Sequence, residues 1–339
     1  MTHPRLPVFD SRFLAAAACS LWLVAGCKPK PSQPSPEAAP QPATDAPKPQ
    51  SRTDSATTPS PAPSPVAEIW KQFSGEKALA HVQKIVAFGP RPSGSPELEL
   101  TRKYIEENLR ACGWLAIRDP FNAPTPRGPV EFVNLVARFA GEAGTQQAIV
   151  ASHYDTKIFS TIQFLGANDG GSSTGALLEL ARVLALDPAL ARRVELVFFD
   201  GEEAMSQFSE TDGLYGSRNY AAKMRASGRA GQFRFGVVWD MIGDRELTIT
   251  LPPDSPGELA RGIFASADAL GARSRFTYFE RAITDDHTPL NAIGIPTIDL
   301  IDFRFDYWHT ADDTPDKLSA ESLRTIGAVT LHRLRQAIK

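Results

Sequence analysis

The stretch Val194-Glu-Leu-Val-Phe-Phe-Asp-Gly-Glu-Glu203 constrains this chain most. A short run rich in Val and Phe, ending in three carboxylates and one Gly, reads as a buried central strand of a parallel sheet. Its charges then fall at the carboxyl end, where open α/β sheets keep their ligands. Holding Glu202 and Glu203 side by side at a buried strand end is costly. A divalent metal removes that cost if one carboxylate binds it and the other stays free as a base. Taken alone, a Glu-Glu pair is more often a solvated helix start, where carboxylates suit the helix dipole; the rest of the chain reverses that preference.

Strand candidates recur at 132–139, 148–153, 194–199, 236–241, 248–251 and 297–301. Helical spacing marks 67–88, 97–112, 173–186, 215–226, 256–270 and 319–337, with Gly113 placed to end the second of these. Alternating strands and helices predict an α/β three-layer sandwich: a mixed, mainly parallel central sheet flanked by helices. With 339 residues, 42% of them hydrophobic, the chain can fill one large core or two small ones. A net charge of −3 leaves no nucleic-acid footprint. Cys112 is the only cysteine outside the N-terminal segment, so the body has no disulfide framework, and Cys112 is expected to be a small buried apolar residue.

Residues 1–27 read as a secretory signal: Arg5 and Arg12 precede an apolar run, Phe13 to Gly26, too short to span a bilayer comfortably. The run ends in Leu23-Val-Ala-Gly-Cys27, which resembles a bacterial lipobox, whose Cys becomes the lipidated first residue. An ordinary cleaved signal would leave the protein soluble; the small residues just before Cys27 favour lipidation. Residues 28–65, rich in Pro, Ser, Ala, Thr and Gln, cannot bury enough surface to offset ordering entropy. They read as a disordered Pro-rich tether. The folded domain is expected over 66–339, lipid-anchored through Cys27 to a bacterial cell envelope and facing the periplasm or the exterior.

Four further polar clusters end or follow strand candidates: His153-Tyr-Asp155, the Gly-rich Gly166-Ala-Asn-Asp169-Gly-Gly-Ser-Ser-Thr174, Trp239-Asp240, and Tyr307-Trp-His309-Thr-Ala-Asp-Asp313. Each has a bland alternative. His153 suits a satisfied core histidine, Asp169 a turn, Asp240 a cap and Trp308 packing. A carboxylate near His153 can fix one ring nitrogen while the other binds metal, and Ser172 or Ser173 can cap the helix after the Gly-rich loop. Together with Glu202-Glu203, the five clusters supply the donors zinc takes when sulfur is absent.

These residues, with Asp285-Asp-His-Thr-Pro289 and Asp212-Gly-Leu-Tyr-Gly-Ser-Arg218, resemble the M28-type zinc aminopeptidase clan, and within it the glutaminyl-peptide cyclotransferases, or glutaminyl cyclases. The resemblance covers about 75–335. It implies one Zn2+ bound by Asp169, Glu203 and His309, Glu202 as proton carrier, Asp240 and Asp285 steadying charge, and Trp308 and Phe208 walling a pocket for peptide or protein N-termini. Phe208 stands where the family's pocket Trp is expected, and Asp299 where animal cyclases have a His. The rival within the clan is a two-zinc aminopeptidase, with His153 and Asp240 on a second metal, Asp169 bridging and Glu202 activating water. A monomer is expected. If the lipobox reading holds, Cys27→Ala leaves the precursor unprocessed or releases the protein from the membrane fraction. Normal processing with full membrane retention contradicts it.

Overall fold

The structure is a computed structural model, and it describes residues 67–141 and 146–338; the expected signal (1–27) and tether (28–65) lie outside the described residues. In chain order the first half contains α1 (Gly75–Val86), α2 (Pro96–Ala111), β1 (Trp114–Thr125), β2 (Gly128–Phe139), β3 (Ala148–His153), α3 (Gly171–Leu184), α4 (Pro188–Ala191) and β4 (Val194–Phe199). The second half contains α5 (Tyr215–Ala226), β5 (Phe235–Asp240), β6 (Ile249–Leu251), α6 (Gly257–Ala269), β7 (Phe276–Tyr278), α7 (His287–Ala292), β8 (Thr297–Ile301) and α8 (Ala320–Ala337).

Every residue of β3, β4, β5 and β8 is buried. Such two-sided burial selects near-continuous Val, Ile, Leu and Phe. The six-stranded sheet has the order β1-β2-β4-β3-β5-β8, with β4, β3, β5 and β8 parallel and β2 and β1 antiparallel. Alternate side chains leave by opposite faces. Val150, Leu196 and Val237 join α1, α3, α6 and α8 in one core, whereas Ile149, Val197 and Val238 join α5 and α7 in another. The three-layer sandwich is as expected. Because α3 leaves β3 on one face and α5 leaves β4 on the other, their connections part and open a crevice at the carboxyl ends of these neighbouring strands.

Several local expectations are corrected. The helix expected over 67–88 breaks: a 3₁₀ turn, Ile69–Gln72, stops at Phe73, and the Ser74 hydroxyl accepts from Lys77 N at 3.3 Å to cap a fresh helix, α1. Ser172 and Ser173 do not cap α3, because the helix has already begun at Gly171. Ser172 Oγ instead donates to Asn168 O (2.6 Å) and accepts from Ile242 N (3.1 Å). The strand expected over 236–241 stops at Asp240, since Met241 takes a left-handed φ of 47°. Cys112 is half-buried at the end of α2 rather than buried. β1 was not expected: Pro120 and Pro124 argue against a central strand, but β1 is an edge strand, where proline is tolerated.

α3 lies close against α1 through Gly175, whose missing Cβ would come 2.9 Å from both Ala78 O and Val82 N. Those are backbone atoms, so the helices must move apart to admit a methyl group. Gly175→Ala gains about 1 kcal/mol of helix propensity but incurs overpacking of about 1–3 kcal/mol. The expected net result is a lowered urea-unfolding midpoint; an unchanged or raised midpoint would show that α1 and α3 are not locked at this contact.

Candidate functional site

The strand ends bring the five polar clusters together. His153 ends β3, Asp169 sits in the loop before α3, Glu202 and Glu203 follow β4, Asp240 ends β5, and His309 lies in the loop after β8. His153 Nε2 is 3.2 Å from both Asp169 Oδ1 and Asp240 Oδ1. His309 Nε2 is 3.3 Å from Asp169 Oδ2 and 3.0 Å from Glu203 Oε1. Two triads result, His153–Asp169–Asp240 and Asp169–Glu203–His309, each with ligand atoms within 4.8 Å of one another and Asp169 common to both. Asp169 Oδ2 is buried with no hydrogen-bond partner among the described residues, and a buried polar atom without a partner is costly. The oxygen and imidazole donors of the two triads fit zinc.

Beside the second triad lies a cavity of about 420 Å³, lined by Glu202, Asp240, Asp285, Phe208, Trp308 and His309 among others. All the expected catalytic and pocket residues therefore share one site. Trp308 stacks on the His309 ring at 4.4 Å between centroids, and Phe159 and Phe164 meet that ring edge-on. Glu202 lines the cavity but belongs to neither triad.

The profile of peptidase family M28 matches residues 134–334, more than half of the chain. A glutaminyl-peptide cyclotransferase-like protein of Bos taurus is 31% identical, the match covering 70% of each chain. Among solved structures, a glutaminyl cyclase of an Acidobacteriales bacterium superposes with a TM-score of 0.71 at 33% identity, over 82% of this chain and 98% of that one. A leucine aminopeptidase precursor from Bacteroides thetaiotaomicron gives 0.70 at 25% identity, over 78% and 97%. The chain belongs to peptidase family M28, among its glutaminyl cyclases.

In this M28 enzyme the ligand loops are held by residues whose roles the sequence did not disclose. The Arg91 side chain, buried between two prolines of the loop before α2, donates to Tyr154 O (2.9 Å), Leu165 O (2.6 Å), Gly166 O (2.8 Å) and Asp169 O (3.3 Å). Asp313 accepts from Asn168 N (2.7 Å) and Asp169 N (3.1 Å), fixing the loop from its other side. Asp155 accepts from Glu202 N (3.2 Å) and Glu203 N (3.3 Å) while its Oδ1 lies 3.4 Å from His153 Nδ1. Asp212 accepts from Met205, Ser206 and Gln207 N at 2.7–3.0 Å and shapes the loop that carries Phe208. Gly170 has φ +73°, and a Cβ there would meet His153 Cε1 at 2.9 Å. The His-x-Asp spacing itself suggests the pairing of His153 with Asp155, and the contacts of Asp212 are local; the other partners lie far apart in sequence, so spacing carried little signal for them.

Burial pushes the Glu202 carboxyl well above its ordinary range, and neighbouring Glu203 and Asp285 add to the rise. Asp285 is raised by burial and by Asp299 and Asp240. Asp299 is itself buried with both oxygens unpartnered among the described residues, 3.4 Å from His287 Nδ1. Burial alone would lower the His309 pKa, but the close carboxylates of Asp169 and Glu203 outweigh it and push it up to about 10. Without metal, the imidazole is therefore a cation below about pH 10, and a divalent ion must displace its proton. Zinc binding to the apo-protein near neutrality should release at least one proton, and affinity should fall roughly tenfold per pH unit as the pH drops. Calorimetry in buffers of different ionisation enthalpy measures this; zero proton release would contradict the assignment of His309.

Proposed function

We propose that the chain converts the N-terminal glutamine of peptides to pyroglutamate with release of ammonia, using one zinc held by Asp169, Glu203 and His309. When bound, the zinc would supply Lewis-acid polarisation of the γ-carboxamide oxygen. The observation that carries the reading is the placement of Glu202: it faces a cavity bounded by the aromatic rings of Phe208 and Trp308, beside the Asp169–Glu203–His309 triad but outside it.

Trp308, Phe208 and Met241 wall the cavity around the glutamine side chain, which must fold back on its own amine. Because the attack is intramolecular, holding that folded geometry supplies much of the rate. Glu202 takes a proton from the α-amine as its nitrogen bonds to the δ-carbon. The same proton then passes to the departing nitrogen, which leaves as ammonia when the Cδ–N bond breaks. The raised proton affinity of Glu202 suits a group that must accept and return a proton near neutrality. Asp240 and Asp285 border the reacting centre and steady the charge on the amine.

A second reading rests on the His153–Asp169–Asp240 triad, which is equally close-set. With a second zinc there, Glu202 would activate a water and the chain would hydrolyse N-terminal residues. We also propose that lipid attached at Cys27 holds the domain at a bacterial envelope.

Glu202→Gln keeps the shape of the side chain and removes its ability to accept a proton. Near-normal folding and zinc content are expected, with single-turnover cyclisation slowed roughly a hundredfold or more. A Gln-initiated peptide is assayed beside an aminoacyl amide, with metal quantified in the same preparation. Wild-type cyclisation in Glu202→Gln, or loss of its zinc, refutes the role; two zincs and amide hydrolysis without cyclisation select the peptidase.

A further inference from the structure

A second cavity of about 640 Å³ opens beside the catalytic one, between α5 and α7. On α5 its wall is formed by Arg218, Ala221, Ala222, Arg225 and Ala226. These lie at i, i+3, i+4, i+7 and i+8, so they form a single stripe along the helix. Ala221 and Ala222 lie between two arginines, Arg218 and Arg225, which stand roughly 10 Å apart along the helix axis. Ile293 forms part of the opposite wall.

Two features join this groove to the catalytic cavity. Thr284, exposed and adjacent to Asp285, lines both. Phe208, a wall of the catalytic cavity, packs so closely over Gly213 that a Cβ there would meet its ring at 2.8 Å, and the next residue, Leu214, lines the groove. A peptide whose first residue fills the catalytic cavity thus has the groove beside its exit. Neither Arg218 nor Arg225 makes an ion pair with a carboxylate among the described residues; the Arg218 side chain donates to Ser209 O, at 3.3 Å. About 10 Å is the length of three extended residues, so both cations are within reach of one short segment.

We propose that this groove is the binding site for the residues that follow the N-terminal glutamine, and that it selects peptides with small apolar and acidic side chains just downstream. The proposal rests on the cyclase reading, because the catalytic cavity places the peptide's first residue. The ridge at Thr284 and Phe208 passes the chain from one cavity to the other. Ala221, Ala222 and Ile293 contact its side chains, and Arg218 and Arg225 attract its carboxylates.

The test uses the zinc-loaded full-length chain and three substrates: glutamine amide, Gln-Ala-Glu-Glu-Ala amide and Gln-Ala-Ser-Ser-Ala amide. Ammonia release gives kcat/KM for each. At low salt the acidic peptide should exceed the neutral one by about threefold, the scale of exposed ion pairs, and the advantage should shrink as salt rises. Arg225→Glu, at an exposed position, should abolish or invert the preference and leave glutamine amide unchanged. Ala222→Trp, also exposed, should raise KM for both peptides and not for the amide. Equal rates on the two peptides in the wild type, or a preference that survives Arg225→Glu, overturns the proposal. Self-association that Ala222→Trp abolishes, with peptide KM unchanged, assigns the groove to a second copy of the chain and overturns it too. If glutamine amide releases no ammonia, the cyclase reading fails separately. Anisotropy of the labelled acidic peptide then decides the groove: binding weakened by Arg225→Glu supports it, and binding unaffected by Arg225→Glu overturns it.

Discussion

Crowding Asp155, Asp169, Glu202, Glu203, Asp240 and Asp285 at one end of a buried sheet sets like charges against each other where water is scarce. Two such charges 4 Å apart repel by about 4 kcal/mol even at an intermediate effective dielectric. The molecule answers in three ways. His153 and His309 face the carboxylates of both triads. Backbone N–H groups satisfy Asp155 and Asp313. The remaining groups, Glu202, Asp285 and Asp299, have proton affinities raised by burial and by neighbouring carboxylates. A sheet whose connections part at β3 and β4 is what allows so many charges to meet without burying them beneath a helix.

Arg91 shows how that arrangement is kept in place. Its guanidinium satisfies main-chain carbonyls of Tyr154, Leu165, Gly166 and Asp169. Burial lowers its pKa to about 10, against the pull of Asp169 and Asp313, so it still carries its charge at neutral pH. One buried cation thereby ties the end of β3 to the ligand loop before α3 while offsetting the negative charge gathered there. Asp313 grips the same loop from the far side of the sequence, so the position of Asp169 is fixed from both sides rather than by its own turn.

The parts of this fold that the sequence disclosed are those with a strong local signal. β3, β4 and β8 match their expected bounds because continuous apolar runs ending in polar residues leave little choice, and α5 matches because its period is clear. β1 was hidden by its prolines and by alternating exposure on an edge, β7 by its three-residue length, and α4 and α7 by being shorter than two turns each. At the site, the residues that bear the chemistry were legible by type and by position at strand ends. Those that hold them were not: Arg91 acts through carbonyls 63 or more positions away, a relation that neither composition nor periodicity records.

Backbone strain gathers where these elements turn toward the pocket. Leu214, Met241 and His309 have φ of 54°, 47° and 56°, a region that side-chain-bearing residues seldom adopt, at a cost of order 1–3 kcal/mol each. Met241 directly follows Asp240, and its turn ends β5 so that the carboxylate stands at the carboxyl end of the sheet. His309 takes the same conformation at the triad itself, with Trp308 stacked on its ring. Leu214 donates to Glu202 O at 2.8 Å and Tyr215 to Gly201 O at 2.7 Å, so the start of α5 is pinned to the segment that carries the acid pair. The strain at Leu214 thus couples two things that a local turn would leave independent: the position of Glu202 in one cavity and the arginine stripe of α5 beside the other. A shift of α5 large enough to relieve Leu214 would move both together.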